Sequence, residues 1–444
     1  MSDQKKIVLF FILFFVPSNL LAVELLITQP GQYMLGQNLT SNPAGADNII
    51  HILSNDVVLD LGGYVVSQGN ATASVNGINL NAGFNDVTIQ NGVIRSVTGN
   101  GIQIGATCQR IKILNIRFES CGIGLFFNGT VGLEINNGEI RNCNFYSCGN
   151  TGLGSAINMT SVSRYIISDI EIANTVSTAL TSAFVMFRVT LSDFSNITIQ
   201  NNSVTGAQLF GISDVSGIGN FYTNVLIQNN SGSTGFVGFG LNSSSTHTFK
   251  NCSVIFNSSS AGTINAYDIQ TSTNCFFDTC RASSNTGVTS VNGFDFITTS
   301  QQNMLIDCIA SANIASGAGA DCRGFFLNDA NFTQMIRCQS SFNVSSAANA
   351  IGLLISGAGG STNSSIIDCI FSRNLGAAAA TSFGISFATG SNNLFKSNIG
   401  FNNNTTAANQ MSGVPAGSVQ TPASPGSSNL TSVLTPYSNL ALDA

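Results

Sequence analysis

Residues 304–313 have the sequence MLIDCIASAN, residues 334–343 QMIRCQSSFN and residues 365–374 SIIDCIFSRN. Each segment places an asparagine five positions after a cysteine. The pattern occurs five times in the second half of the chain, and successive copies start 28, 28, 30 and 31 residues later. The copies are Cys252-Asn257, Cys280-Asn285, Cys308-Asn313, Cys338-Asn343 and Cys369-Asn374, and Ser397-Asn402 continues them with serine in place of cysteine. A nearly constant period of this size predicts a solenoid, in which equivalent residues of successive coils stack.

Most coils include a short predicted strand that starts at a glycine followed by an apolar residue, and the residues of such a strand alternate between inward and outward positions. Examples are Gly101–Ile104, Gly293–Phe296 and Gly352–Ile355. No proline occurs between Pro43 and Pro415, as central strands require, because proline cannot donate to a β-ladder. We therefore predict an all-β fold, a parallel β-helix of about thirteen coils over residues 48–409. The earlier coils fit the repeat less closely, through Asn91, Asn115, Asn142, Asn201 and Asn229.

The asparagine of each copy is expected at a tight bend. Asparagine tolerates the left-handed backbone there, and its amide can donate to and accept from the asparagine of the next coil. A binding role for this row is the alternative to a structural one. The predicted asparagine ladder consists of Asn257, Asn285, Asn313, Asn343, Asn374 and Asn402.

A row of charges precedes the cysteines, and it is predicted to face solvent as weak ion pairs. Its members are Lys250, Asp278, Asp307, Arg337, Asp368 and Lys396. Strand alternation places Ile306, Ile336 and Ile367 inside together with the cysteines, if a bulge is assumed in the copies at Cys252 and Cys280. In this row Asp278 and Asp307 stand on adjacent coils with no cation between them. Such a pair could bind Ca²⁺ or serve as acid and base on a glycosidic bond.

Eleven cysteines would normally indicate disulfides in an exported protein. In-register side chains on adjacent coils, however, hold their Cβ atoms about a strand spacing apart, which is wider than a disulfide prefers. The row Cys252, Cys280, Cys308, Cys338 and Cys369 is therefore expected to be buried thiol. Cys121, Cys143 and Cys148, near a turn, are the better candidates for a bridge.

The N-terminus has the layout of a secretory signal peptide, with Lys5 and Lys6 before an apolar run at residues 7–16 and a small residue at Ala22. We predict a signal peptide over residues 1–22, an N-terminal cap segment over 23–47, the β-helix over 48–409 and a Pro/Ser-rich tail or C-terminal cap over 410–444. The expected location is secreted, periplasmic or at the cell surface, with no membrane-spanning segment after cleavage.

The chain combines few charged residues with many apolar residues. Charged residues make up only 8% of the chain, the formal net charge is −6, and 31 phenylalanines with 43% hydrophobic content can fill a large core. No basic patch is present to attract nucleic acid. The surface must therefore be solvated by hydroxyl and amide groups, which can hydrogen-bond sugars without charge.

The segments 27–35 (ITQPGQYML) and 57–66 (VVLDLGGYVV) resemble the N-terminal part of right-handed parallel β-helix proteins of the pectin-lyase-like superfamily. The resemblance covers most of the chain and implies the fold, but this superfamily includes lyases, hydrolases, epimerases, phage spikes and adhesins. The Gly-His-Gly of polygalacturonase-like hydrolases is missing, and so are the Asp-Pro-His-Asp of alginate epimerases and the Arg-x-Pro-x-x-Arg of pectate lyases. Only Arg110-Ile111-Lys112 matches a polygalacturonase element, out of order.

These observations favour an exported, non-enzymatic β-helix that binds carbohydrate or another surface, or serves as a structural module. The absence of tryptophan weakens the carbohydrate version, because aromatic stacking usually contributes to sugar binding. The alternative is a polysaccharide lyase or glycoside hydrolase that uses Asp278 and Asp307. His51 and His247 are expected at surfaces or turns. No cofactor is expected, and the sequence does not decide the oligomeric state.

Overall fold

The computed structural model describes residues 10–12, 24–41, 48–69, 74–149, 154–178, 182–358, 360–377, 382–389, 392–401, 403, 411–412, 419–420 and 440–442. Within these residues every regular element is a β-strand. The chain divides into two compact units, Met1–Thr198 and Ile199–Ala444. Among the described residues, no helical segment has the length and apolar character needed to cross a bilayer.

Each coil of the first unit contributes strands to two main parallel sheets. The strands of sheet 1 are Leu25–Ile27, Asn48–Ile52, Asn76–Leu80, Asn100–Gly105, Ile123–Asn128, Ile157–Thr160 and Ser182–Phe187. The strands of sheet 2 are Phe10–Ile12, Gly31–Met34, Leu39–Ser41, Val57–Asp60, Val65–Gln68, Val87–Arg95, Lys112–Glu119, Glu139–Tyr146, Ile166–Ala173 and Asp193–Gln200. The short strands Ile135–Asn136, Val162–Ser163 and Val176–Ser177 complete the coils.

The second unit is also built from two main parallel sheets, numbered in the same way, and a third, short one. Sheet 1 contains Gln208–Val215, Gly235–Asn242, Thr263–Gln270, Val291–Ile297, Cys322–Asn328, Ala350–Ser356, Phe383–Phe387 and Met411–Ser412. Sheet 2 contains Phe221–Gln228, Thr248–Lys250, Ser253–Ile255, Phe276–Asp278, Arg281–Ser283, Met304–Ile306, Ile309–Ser311, Gln334–Ile336, Gln339–Ser341, Ser365–Ile367, Ile370–Ser372, Leu394–Lys396, Ile399–Phe401, Val419–Gln420 and Leu440–Leu442. Sheet 3 contains Ser203–Val204, Ser231–Gly232, Ser258–Ser259, Thr286–Gly287, Ile314–Ala315 and Val344–Ser345.

Equivalent residues of successive coils pair in parallel register, so like side chains stack on like in the core. In sheet 1 of the second unit, Phe239, Tyr267, Phe294 and Phe325 form one buried aromatic stack with ring centroids 5.2, 4.4 and 5.1 Å apart. The predicted fold class, an all-β parallel β-helix of about thirteen coils, is confirmed. The parallel β-helix that the resemblance implies is thus the observed fold.

The asparagine ladder is a continuous chain of buried side-chain amides in the second unit. From Asn230 onward each Nδ2 donates to the Oδ1 of the next asparagine at 2.9–3.1 Å. Each Oδ1 also accepts a backbone N–H of the coil before it, as Asn285 does from Asn257 at 3.1 Å. The members are Asn202, Asn230, Asn257, Asn285, Asn313, Asn343, Asn374 and Asn403. These bonds satisfy amides that would otherwise be costly to bury.

The C-terminal end of this ladder differs from the sequence prediction by one residue. Asn402 lies outside the described residues, and Asn403 accepts the hydrogen bond of Asn374. Asn398, not Ser397, takes the position of the cysteine, because it accepts from the Cys369 backbone N–H at 2.9 Å. The last coil thus keeps the five-residue spacing with asparagine at both positions.

A left-handed residue directly before each cysteine overturns the predicted strand alternation. Asp307 has φ +53° and lies between the short strands Met304–Ile306 and Ile309–Ser311. This bend, repeated in each coil, places Leu305 and Cys308 in the core and leaves Ile306 half-buried. The prediction that Ile306, Ile336 and Ile367 point inside is therefore wrong. No bulge is needed at Cys252 or Cys280, because one bend residue precedes the cysteine in every copy.

All eleven cysteines lie in described residues, and all are buried and unpaired. Cys121, Cys143 and Cys148, the better candidates for a bridge, are thus not joined to one another. Thiols of the stacked row bond to backbone carbonyls instead, as Cys308 Sγ does to Phe277 O at 3.5 Å. Burial raises the pKa of Cys143 to about 12, which keeps that thiol protonated.

Strands extend beyond both predicted limits of the β-helix. The segments Leu25–Ile27 and Gly31–Met34 pair in register with Ile50–Ile52 and Val57–Asp60 and so form a first coil within the predicted cap segment. The backbone of Phe10–Ile12, inside the predicted signal peptide, pairs with Gln32–Met34. In the predicted tail, Leu440–Leu442 pairs with Ile399–Phe401. The cleavage site itself lies outside the described residues.

Candidate functional site

Asp278 and Asp307, the acidic pair predicted on adjacent coils, do not pair with each other in register. Asp278 pairs in register with Ile306, whereas Asp307 occupies the following bend, one residue further on. Asp307 is held by a cation, since Arg337 Nε and Nη2 donate to its two carboxylate oxygens at 2.8 and 2.7 Å. That contact lowers the pKa of Asp307. The left-handed bend is the reason that the two carboxylates, although on adjacent coils, fall in different rows.

A different pair of carboxylates lies on the outward face of sheet 1. Asp268 and Asp295 pair in register on adjacent coils, each between two buried core side chains. Both side chains are nevertheless nearly covered, since Asp268 is 5% and Asp295 4% exposed. Within the described residues, one oxygen of each carboxylate, Oδ1, is buried without a hydrogen-bond partner.

A kink in each strand produces this burial. Asn292 Nδ2 donates to Asp295 Oδ2 at 2.9 Å, although side chains three residues apart on a straight strand are about 10 Å apart. The kink occurs at Gly293, where a Cβ atom would lie 2.5 Å from the Gly324 carbonyl oxygen. Because Gly293 and Phe294 both face inward, the outward side chains on either side of them converge. The result is a set of adjacent side chains on three coils, here called the carboxyl groove, that consists of Asn265, Asp268, Asn292, Asp295, Arg323 and Phe326.

The carboxyl groove shifts the ionisation of its acids toward neutral pH. Burial raises the pKa of Asp295 to about 7, and the charge of Asp268 raises it further, while Arg323 and Asn292 oppose the shift. Burial likewise raises the pKa of Asp268, against a hydrogen bond from Gln270 Nε2 at 2.9 Å. Burial and the charge of Asp268 together thus favour the protonated form of Asp295.

Arg323 provides the positive charge of the groove on the third coil. Its Nη2 donates to Asp321 Oδ2 at 2.6 Å, and its guanidinium lies 4.6 Å from the centre of the Phe326 ring. The Nη1 atom also reaches Asn292 Oδ1 at 3.5 Å. Asn265, Asn292 and Arg323 share one register row, so amides and a guanidinium line the groove beside the acids.

His247 is buried in the core, which corrects its predicted place at a surface or turn. Its Nδ1 accepts the backbone N–H of Asn220 at 3.0 Å, so the ring carries its proton on Nε2, which lies 3.1 Å from Asp214 Oδ2. Tyr222 Oη donates to the same oxygen at 2.7 Å. Asp214, Tyr222 and His247 are fully buried, and this cluster therefore stabilises the core without access to a ligand. His51, as predicted, is an outward side chain, bonded to Glu24 and Asn81.

Metal binding has little support from the arrangement of side chains. Across the described ranges, no group of three or more His, Cys, Asp or Glu side chains is placed to hold a metal ion. The carboxyl groove contains only two carboxylates, and Arg323 lies beside them.

The carboxyl groove was not predicted from the sequence. An acidic residue between aromatic residues, as in Phe294-Asp295-Phe296, is a signal that could have indicated it.

Comparisons with known proteins identify no family for this chain. No protein family model matches the chain, and no curated protein matches it. Among solved structures, the A-module of the Azotobacter vinelandii mannuronan C-5 epimerase AlgE6 is similar with 12% identity and a TM-score of 0.35, over 94% of this chain and 91% of that one. A mutant tailspike protein of E. coli bacteriophage HK620, in complex with a pentasaccharide, has 11% identity and a TM-score of 0.40, over 86% and 72%. At this level of similarity, what those proteins bind or process is not transferred to this chain.

Proposed function

We propose that this chain is an exported β-helix protein that binds carbohydrate along its polar outward face without cleaving it. The carboxyl groove is the observation that carries the proposal. It gathers amide, carboxyl and guanidinium groups from three successive coils beside the ring of Phe326. Directional polar groups next to an apolar ring surface are what a sugar ring, polar at its edge and apolar on its face, requires.

Binding rather than cleavage follows from the burial of the acids. A glycosidase needs one carboxyl group that reaches the leaving oxygen and a second that reaches the sugar or a water. Asp268 and Asp295 are at most 5% exposed, and their Oδ2 atoms are occupied by Gln270 and Asn292. In this arrangement the carboxyl groups hold neighbouring amides in place. The half-buried side chains of Asn265, Gln270 and Arg323 are the groups that can contact a glycan.

The test pairs a glycan-binding array with an assay for new reducing or unsaturated ends on the same neutral and uronate polysaccharides. We expect binding without new ends. Replacing Arg323 with glutamine should weaken binding by about tenfold or more, because hydrogen bonds to a charged group contribute about 1.5–3 kcal/mol. Arg337→Gln is the matched control, since Arg337 bonds Asp307 on sheet 2, and its binding should equal that of the wild type.

A second candidate, glycoside hydrolysis, is favoured by one observation, the pKa of about 7 of Asp295 beside a second carboxyl group. A general acid protonated near neutral pH and a neighbouring carboxylate are the groups that hydrolysis requires. Cleavage by the wild type that disappears in both Asp268→Asn and Asp295→Asn would establish this activity and refute the non-enzymatic proposal. Asp278→Asn should leave either activity unchanged.

Export is part of the proposal and rests on the sequence of residues 1–22. We expect the protein outside the cytoplasm of its producing cell with a new N-terminus at Val23. Sequencing of the N-terminus of the exported protein measures this directly. A product that retains Met1–Ala22 would contradict the predicted cleavage, and with it the assignment of Phe10–Ile12 to a signal peptide.

A further inference from the structure

A cavity lies at the corner that follows sheet 1, on the same three coils as the carboxyl groove. It is open to solvent and has a volume of about 390 Å³, within the range of small-ligand sites. We call it the corner cavity. It is lined by Asn274, Gln302, Asn303, Met304, Phe332 and Gln334, none of which is charged.

The amides of the corner cavity are available to a ligand. Across the described residues, the side chains of Asn274, Gln302 and Gln334 form no hydrogen bond with another protein group, and all three are exposed. Asn303 differs, because its side chain accepts from Cys275 N and donates to Ser272 O and so forms part of the wall. Three unpaired amides converging on one cavity supply both donors and acceptors.

Phe332 is an unusual residue at its position. It has φ +55° at a bend where the preceding coils have Asn274 and Gln302 and the following coil has Asn363, all left-handed as well. A bulky side chain is disfavoured in this conformation, which asparagine tolerates. The ring is also 49% exposed, so burial in the core does not compensate for the strain. Strain of this kind is often retained at ligand sites.

From this geometry we propose that the corner cavity binds one ring of an uncharged sugar, with the apolar face of the ring on Phe332 and its hydroxyl groups on the three amides. This inference rests on the proposed carbohydrate binding and extends it to a second subsite. Asp295 and Gln302 belong to one coil, as do Arg323 and Phe332, so a single oligosaccharide could contact both sites around one corner. With no charged group in its lining, the corner cavity offers nothing to a uronate carboxylate.

The test is a titration of the full chain with hexasaccharides of glucose, mannose and N-acetylglucosamine, and with oligogalacturonate as the charged probe. Replacing Phe332 with asparagine gives this coil the residue that its neighbours use, so the variant should fold at least as well as the wild type. Loss of the ring should raise the Kd for the neutral hexasaccharide that binds by roughly two- to twelvefold. Gln302→Ala, which removes one amide and keeps the ring, should also weaken binding.

Phe256→Asn is the matched control. Phe256 is likewise exposed at a left-handed bend, with φ +56°, but it does not line the corner cavity. Its replacement should leave the Kd unchanged, and an equal loss in both variants would refute the inference. If Phe332→Asn binds as the wild type while Arg323→Gln binds more weakly, the inference fails and the proposed function stands. If no glycan binds the wild type, both fail.

Discussion

Replacing Asp295 with asparagine should stabilise the protein above neutral pH and leave it unchanged in acid. The pKa of Asp295 is raised from 3.8 to about 7, so the folded protein keeps a proton that the unfolded chain releases. That contribution to stability is fully present below about pH 4 and is lost as the pH rises through about 7. The difference between the two pKa values corresponds to about 4 kcal/mol of unfolding free energy. Asparagine has the same shape and no charge, so the variant avoids this loss.

The assay is urea unfolding followed by far-ultraviolet circular dichroism at about pH 4 and about pH 8.5. We expect equal midpoints at the lower pH and a variant more stable by about 2–4 kcal/mol at the higher pH. Asp307→Asn is a control of opposite sign, because Arg337 lowers the pKa of Asp307 and its carboxylate stabilises the protein only when ionised. That variant should be less stable than the wild type at both pH values, because a carboxyl group with a lowered pKa is still ionised at about pH 4. If Asp295→Asn were destabilising at pH 8.5, the assignment of a strained, partly protonated pair would be refuted.

Three further outcomes are expected from the fold. All eleven thiols should resist a thiol reagent in the native protein and react after denaturation, and a lower final count would show a disulfide. Asn285→Ala should cost about 3 kcal/mol or more, because it leaves the buried backbone N–H of Asn257 and the backbone carbonyl of Val254 without the partners that Asn285 provides. Asn251→Ala on the exposed bend should cost much less. Phe256→Asn should raise the unfolding free energy by about 1 kcal/mol through relief of left-handed strain, and a loss of stability would contradict this.

The repeat was predictable because stacking imposes a constant period on the sequence. Cysteine and asparagine five residues apart mark the same buried positions in each coil, and their spacing was enough to place strands and bends. Ile306 was predicted to point inside because it lies two residues before the buried Cys308. The left-handed residue Asp307 between them breaks this alternation, so Leu305 is buried instead. A sequence shows such a bend only indirectly, because aspartate, arginine and threonine all occupy it.

The functional site was harder to predict than the fold because it depends on where outward side chains converge. The spacing of Asp278 and Asp307 along the chain suggested that they stack on adjacent coils. Asp278 instead pairs with Ile306, so the two acids are one residue out of register. Asp268 and Asp295 converge with Asn265 and Asn292 only because the strands kink at small residues such as Gly293. The kink occurs where the backbones of neighbouring coils are in close contact, as at Gly293 and Gly324. The spacing of the acids along the chain does not indicate this contact.

The most direct measurement of the central claim is a crystal structure of the wild-type protein with a bound oligosaccharide. We expect an intact glycan on the outward face of sheet 1, with hydrogen bonds to Arg323 and the neighbouring amides of the carboxyl groove. Density for a cleaved product beside Asp268 and Asp295 would contradict the claim that the protein binds without cleaving. A glycan bound only to sheet 2 or sheet 3 would contradict the location of the site.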